Sequence, residues 1–135
     1  MSPKSFVHQT HGDSLHDLAI FLAQRLIVNR SGKGREYFLL DGRFFADKGI
    51  SPAIPDIYFQ LQDNYKNQSG RRINNTEKYV VEMESAPSAA SIAKKHEHFL
   101  TNYKGLTDLI IIDLSECDEP TNWLKLEKFL DERIP

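Results

Sequence analysis

The chain has 135 residues, of which 40% are hydrophobic and 27% are charged, and its formal net charge is −2. This size suits one domain with a single core, and the near-neutral charge is unlike that of a protein that coats nucleic acid with a basic surface. The single cysteine, Cys117, excludes an intramolecular disulfide and a cysteine-rich zinc site. Because no apolar run is long enough to span a membrane and the N-terminus does not resemble a signal peptide, we expect a cytoplasmic protein with no membrane partner.

The first predicted elements are a helix and a strand within one domain, 1–135. Residues 1–12 are polar and are expected to form a loose segment. Apolar residues then recur at helical spacing from about Ser14 to Asn29, which predicts the first helix. A glycine-bearing loop ends it, and 36–41 is typical of a short strand before an Asp-Gly turn. We expect that 43–46 extends this hairpin and that 47–55 contains two further turns.

Two strands that carry acids come next, at about 56–62 and 78–85, and a polar connection joins them. Antiparallel pairing of these strands would bring Asp56 close to Glu82 and Glu84, which are two residues apart and so share a strand face. Three neighbouring carboxylates repel one another unless a cation, a proton or a basic side chain lies between them. Mg²⁺ or Mn²⁺ suits such a group, because hard divalent cations prefer oxygen ligands.

A helix, a strand and a last helix complete the predicted order. Ser88 is the expected cap of the second helix, whose buried stripe is Ile92, His96, Phe99 and Tyr103. The continuous apolar run 109–114 predicts a strand that is buried on both faces at the centre of the sheet, parallel to the 78–85 strand. The last helix is expected to begin at Pro120 or Thr121.

The order of these elements and the placement of the acids resemble the PD-(D/E)xK nuclease superfamily over roughly 14–114. Pro55-Asp56 matches the Pro-Asp of its second strand, and Glu82-Met83-Glu84 matches its acid-x-Lys, except that Glu84 stands in place of the lysine. The resemblance implies an α/β fold with a restriction-endonuclease-like core: α-β-β-β-α-β plus a C-terminal helix, with a central mixed sheet flanked by helices. The sequence also looks like the nuclease-like domain of plasmid replication-relaxation proteins, which shows Pro-Asp, acid-x-acid and a lysine on the next helix.

The function that this resemblance implies is metal-dependent hydrolysis of DNA phosphodiester bonds. Asp56, Glu82 and Glu84 would be the catalytic residues and the ligands of Mg²⁺ or Mn²⁺. Some restriction-type members carry glutamate in place of the lysine and remain active, whereas others use a lysine from the following helix. Lys95 is therefore the candidate catalytic lysine, because it adjoins the buried stripe whereas Lys94 points further round the helix. An ordinary surface lysine is the equally weighted alternative.

Two basic clusters are candidate nucleic-acid-binding residues: Lys33 and Arg35 in the glycine-bearing loop, and Arg71 and Arg72 in the hairpin connection. Ordinary solvated loops are the alternative for both clusters. The expected partner is DNA, although the sequence does not distinguish DNA from RNA. A chain with one site would favour a homodimer for cutting both strands of a duplex.

Several alternatives remain open at this point. His96 is expected to be a core histidine, and a zinc site formed by His8, His11 and His16 has no supporting cysteine or Glu-x-x-His motif. The glutamate at position 84 also fits a catalytically inactive nuclease-like domain that binds DNA or another protein. A third reading is a small α/β protein whose acids have no relation to nucleic acid.

Overall fold

The computed structural model describes residues 14–32, 34–40, 55–66, 69–103 and 105–135. In chain order the elements are α1 (Ser14–Asn29), β1 (Arg35–Leu40), β2 (Ile57–Lys66), β3 (Arg72–Glu84), α2 (Ala89–Asn102), β4 (Asp108–Asp113) and α3 (Trp123–Arg133), with a short 3-10 turn at Leu114–Glu116. This is a mixed α/β fold, as the sequence predicts. The expected loose segment at 1–12, the strand at 43–46 and the turns at 47–54 lie outside the described residues.

The sheet has four strands in the order β1-β2-β3-β4. The β1–β2 and β2–β3 pairs are antiparallel, and the β3–β4 pair is parallel, as predicted. The predicted central place of β4 is wrong, because β4 is the last strand of the described sheet. Helices cover side chains on the faces of a sheet, so an edge strand can bury an apolar run just as a central strand does. Leu109 and Ile112 are buried in β4, whereas Ile110 and Ile111 are half-buried.

The β2–β3 hairpin is longer than the sequence predicts. Paired residues run from Ile57 opposite Val81 to Lys66 opposite Arg72. The sequence suggests that both strands stop where the residues become polar, but backbone hydrogen bonds continue through Asn64 and its partner Asn74. Both asparagines are exposed. Pairing of main chains needs no apolar side chain, so the polar part of the hairpin extends the sheet without adding to the core.

The core has two parts, one on each face of the sheet. The larger part lies beneath α1 and α3 and includes Ile20, Leu22, Phe59, Val81, Met83, Leu126 and Leu130. The smaller part lies beneath α2 and includes Tyr58, Val80, Phe99, Tyr103 and Leu109. Side chains alternate between the two faces of a strand, so Glu82 and Glu84 lie on the same face as Val80. The two glutamates therefore point to the side of the sheet that α2 covers.

The helices begin close to the predicted positions. α1 has the predicted bounds, and α2 is capped by Ser88, whose Oγ accepts a hydrogen bond from the Ser91 N–H at 3.0 Å. α3 begins at Trp123 after its cap Asn122, slightly later than predicted. The expectation of a core His96 is wrong: His96 is half-buried, and the buried residues of α2, Phe99 and Asn102, both lie in its second half. Among the described residues, no helix is both long enough and apolar enough to cross a membrane.

Candidate active site

Two acids meet where β2 begins and β3 ends. Ile57 pairs with Val81 in the ladder, which places Asp56 beside Glu82. The Asp56 N–H donates to Glu82 Oε2 at 2.9 Å, and the Met83 N–H donates to Asp56 Oδ2 at 2.8 Å. Each carboxylate is thus held by the main chain of the other strand, and each residue is only 6% exposed.

Burial and proximity change the protonation of this pair. Burial, followed by the negative charge of Asp56, raises the pKa of Glu82 from its ordinary 4.5 to about 7. Burial also raises the pKa of Asp56, although hydrogen bonds from Glu82 and from the Met83 N–H oppose this. Two buried carboxylates this close favour binding a proton or a cation.

Lys95 brings a positive charge to the acids from α2. Its Nζ lies 3.3 Å from Glu82 Oε1, and it also forms an ion pair with Glu84 Oε1. The positive charge of Lys95 lowers the pKa of both Asp56 and Glu82, which partly offsets the effect of burial. Lys94 is exposed, in agreement with its predicted direction. Lys95 therefore lies next to Glu84, at the place where a lysine from the following helix was predicted.

His16 is a contact of Asp56 that the sequence reasoning missed. It lies in the first turn of α1, and its Nε2 is 3.3 Å from Asp56 Oδ2. Its Nδ1 is 3.8 Å from Asp17 Oδ1, and its side chain is only 14% exposed. The sequence could have indicated that His16 is buried, because it lies at helical spacing from three residues that α1 buries against the sheet. These residues are Ala19, Ile20 and Ala23. His8 and His11 lie outside the described residues.

The turn between Glu84 and α2 is fixed by Asp113 at the end of β4. Asp113 Oδ1 accepts hydrogen bonds from the N–H groups of Ala86 and Ser115, each at 2.9 Å. Ala86 has φ 49°, a left-handed conformation that costs an alanine free energy. The bond from Asp113 therefore stabilises a strained residue two positions after Glu84. The Ser115 hydroxyl, followed by the Ala86 N–H, lowers the pKa of Asp113.

The donor set only partly matches the predicted metal site. Asp56 and Glu82 offer buried oxygen donors, and Mg²⁺ is often bound by one or two carboxylates, with waters and phosphates completing its shell. Glu84 pairs with Lys95. Within the described ranges, no group of three or more His, Cys, Asp or Glu residues is placed to hold an ion. The two converging carboxylates fit a hard divalent cation, whereas a site built from three protein carboxylates is not formed.

The described candidates for nucleic-acid binding, Arg35, Arg71 and Arg72, lie toward the other end of the sheet. Arg72 pairs with Lys66 at the far end of the hairpin, and ten residues of strand separate it from Glu82, a distance of ~33 Å. Arg71 is also exposed there. Arg35 makes a 2.7 Å ion pair with Asp63, and Lys33 lies outside the described residues. The structure does not bring the described arginines next to the carboxylates.

Comparison with known proteins adds no assignment to this geometry. No family model, no curated protein and no solved structure matches the chain. The resemblance to the PD-(D/E)xK nucleases therefore stays a prediction from the motif residues and the order of elements.

Proposed function

We propose that this chain is a metal-dependent nuclease that hydrolyses DNA phosphodiester bonds, with a site similar to that of the PD-(D/E)xK superfamily. One observation carries the proposal: two buried carboxyl groups converge from neighbouring strands, and Lys95 reaches the adjacent glutamates from the next helix. The order α-β-β-β-α-β followed by a helix suits a restriction-endonuclease-like core. The raised pKa of Glu82 also supports the proposal, because such a pair gains stability from a bound cation.

Each side chain has a role in this proposal. Asp56 and Glu82 would hold Mg²⁺ or Mn²⁺, which acidifies a water molecule and stabilises charge on a phosphate when it is bound. The Lys95 ammonium would stabilise the negative charge that develops on the phosphate during attack by water. Glu84 orients Lys95 through their ion pair and is a candidate base for the proton of the attacking water.

A plasmid-nicking assay with Mg²⁺ or Mn²⁺ tests the proposal. Wild-type protein should convert supercoiled plasmid to the nicked form, and Asp56→Ala should abolish this activity because it removes one of the two converging carboxylates. Glu132→Ala is the control, because Glu132 is an exposed acid on α3, which packs on the opposite face of the sheet from Glu82 and Lys95. Full activity of the Asp56→Ala variant, with a circular dichroism spectrum like that of the wild type, would refute the proposal. A matched RNA substrate distinguishes the two nucleic acids.

A nuclease-like binding module without chemistry is the second candidate. The specific observation in its favour is that Lys95 already pairs with Glu82 and Glu84, so Lys95 and a proton on the Asp56–Glu82 pair together offset two of the three negative charges without a metal ion. This candidate predicts salt-dependent DNA binding without nicking in either metal. Arg72→Ala should then weaken binding, because Arg72 is exposed on the hairpin, whereas Asp56→Ala should not weaken it.

A further inference from the structure

The outward surfaces of α1 and α3 carry large apolar side chains that are exposed to solvent. They are Phe21 and Val28 on α1, which are 50% and 46% exposed, and Trp123 and Leu124 on α3, which are 41% and 75% exposed. Phe21 and Val28 are seven residues apart and lie on one side of their helix. These four residues and Arg25 are called the α1/α3 patch below. Single exposed apolar residues are common on protein surfaces, but this group lies on two adjacent helices.

Arg25 connects the two helices within the patch. Its Cζ lies 5.9 Å from the ring centroid of Phe21 and 5.9 Å from that of Trp123. These contacts restrain three long side chains, so less conformational entropy is lost when another surface packs on them. Tryptophan and arginine are also the residue types most enriched among those that dominate the energy of protein interfaces.

The exposed apolar area is comparable to what one side of a dimer interface needs. An aromatic side chain offers ~150–250 Å², so the exposed parts of Phe21 and Trp123 together leave roughly 140–230 Å². A valine or leucine side chain offers ~60–120 Å² of apolar area, so the exposed parts of Val28 and Leu124 increase the total to roughly 210–380 Å². A standard interface buries about 800 Å² on each partner, of which somewhat more than half is apolar, or about 450 Å². The α1/α3 patch therefore supplies roughly half or more of the apolar area of one partner.

We propose that the α1/α3 patch is the interface of a homodimer, with a second copy of this chain packed on it through a two-fold axis. In such a dimer the same surface meets itself, so its surroundings must not carry a single sign of charge. The exposed Lys128 and Asp131 of α3 provide both signs. The patch lies on the face of the sheet opposite α2, so pairing leaves Lys95 and Glu84 uncovered. This proposal does not depend on the proposed nuclease activity.

Analytical ultracentrifugation of the full chain from about 1 to 100 μM, and of two variants, tests the proposal. Wild type should sediment as a dimer at the upper end of this range. Leu124→Asp should raise the dimer dissociation constant roughly 100-fold or more, because two-fold symmetry places two leucines and then two charges in the interface. Leu100→Asp is the matched control: Leu100 is 50% exposed but lies on α2, and its substitution should leave the dissociation constant unchanged.

Trp123 is the only tryptophan of the chain and gives a second measurement at the patch itself. Its fluorescence emission should move to longer wavelength when wild type is diluted, and Leu124→Asp should show the long-wavelength emission at every concentration. A wild type that is monomeric throughout the range would overturn the proposal, whatever its emission. A dimer that survives Leu124→Asp, or that Leu100→Asp weakens equally, would also overturn it.

Discussion

The buried pair of Asp56 and Glu82 should make the stability of the metal-free protein depend on pH. The pKa of Glu82 is raised from 4.5 to about 7, so the folded state keeps a proton that the unfolded state releases above pH 4.5. The free energy of unfolding should therefore fall as the pH rises from 4.5 to about 7, and it should level off above that range. Glu82→Gln removes the titrating group while preserving a polar side chain of similar shape, so it should remove this dependence.

The expected size of the effect follows from the change in pKa. A difference of about 2.5 pH units between 4.5 and 7, at ~1.36 kcal/mol per unit, gives roughly 3 kcal/mol. The proton is shared with Asp56, so this free energy belongs to the pair. The free energy of unfolding of Glu82→Gln should equal that of the wild type at about pH 4 and exceed it by up to about 3 kcal/mol at pH 8. For a domain of this length that corresponds to about 10 °C in Tm.

Thermal and urea unfolding at about pH 4 to 8 in a chelating buffer measures this difference. Glu97→Gln is the control, because Glu97 is an exposed acid on α2 and its substitution should leave the pH dependence of the wild type intact. Equal pH slopes for wild type and Glu82→Gln would refute the reasoning, because they would mean that no proton is taken up by the pair. In a buffer without chelator, adding Mg²⁺ or Mn²⁺ at pH 8 should raise the Tm of the wild type but not that of Glu82→Gln, since a ligand stabilises only the state that binds it.

Three further predictions concern other residues. Lys95→Met should reduce plasmid nicking strongly while Lys94→Met changes it little, and equal losses in both variants would instead indicate general attraction of phosphates that salt screens. Asn122→Ala should lower the free energy of unfolding by about 1 kcal/mol in a urea titration, because the Asn122 side chain accepts from the Leu124 and Lys125 N–H groups at the start of α3. Asp113→Asn should lower the Tm at pH 7. The difference in Tm from the wild type should shrink as the pH falls below 3.8, because the pKa of Asp113 is lowered in the folded state and its stabilising effect is lost when the carboxylate is protonated.

Local patterns in the sequence determined the helices and the neighbourhood of the first two acids. The bounds of α1 follow from apolar residues at helical spacing, and Ser88 caps α2 as predicted. These features depend on residues within a few positions of one another. The closeness of Asp56 and Glu82 also followed from the sequence, because a hairpin with one acid at the start of a strand and another near the end of the next leaves few possible registers.

The tertiary structure decided which further groups reach those acids. The contacts of His16 with Asp56 and of Lys95 with Glu84 form because of where α1 and α2 pack along the strands of the sheet. The edge position of β4 also depends on which distant segments pair with one another. An apolar run predicts that the faces of a strand are buried, but it does not predict whether the strand has one neighbouring strand or two. Arg72 is a second example. The sequence predicts that it lies in a loop, whereas in the fold it begins β3, ~33 Å along the strand from Glu82. Spacing along the chain fixes which residues share a face of one element, whereas distances between elements depend on packing that no local pattern records.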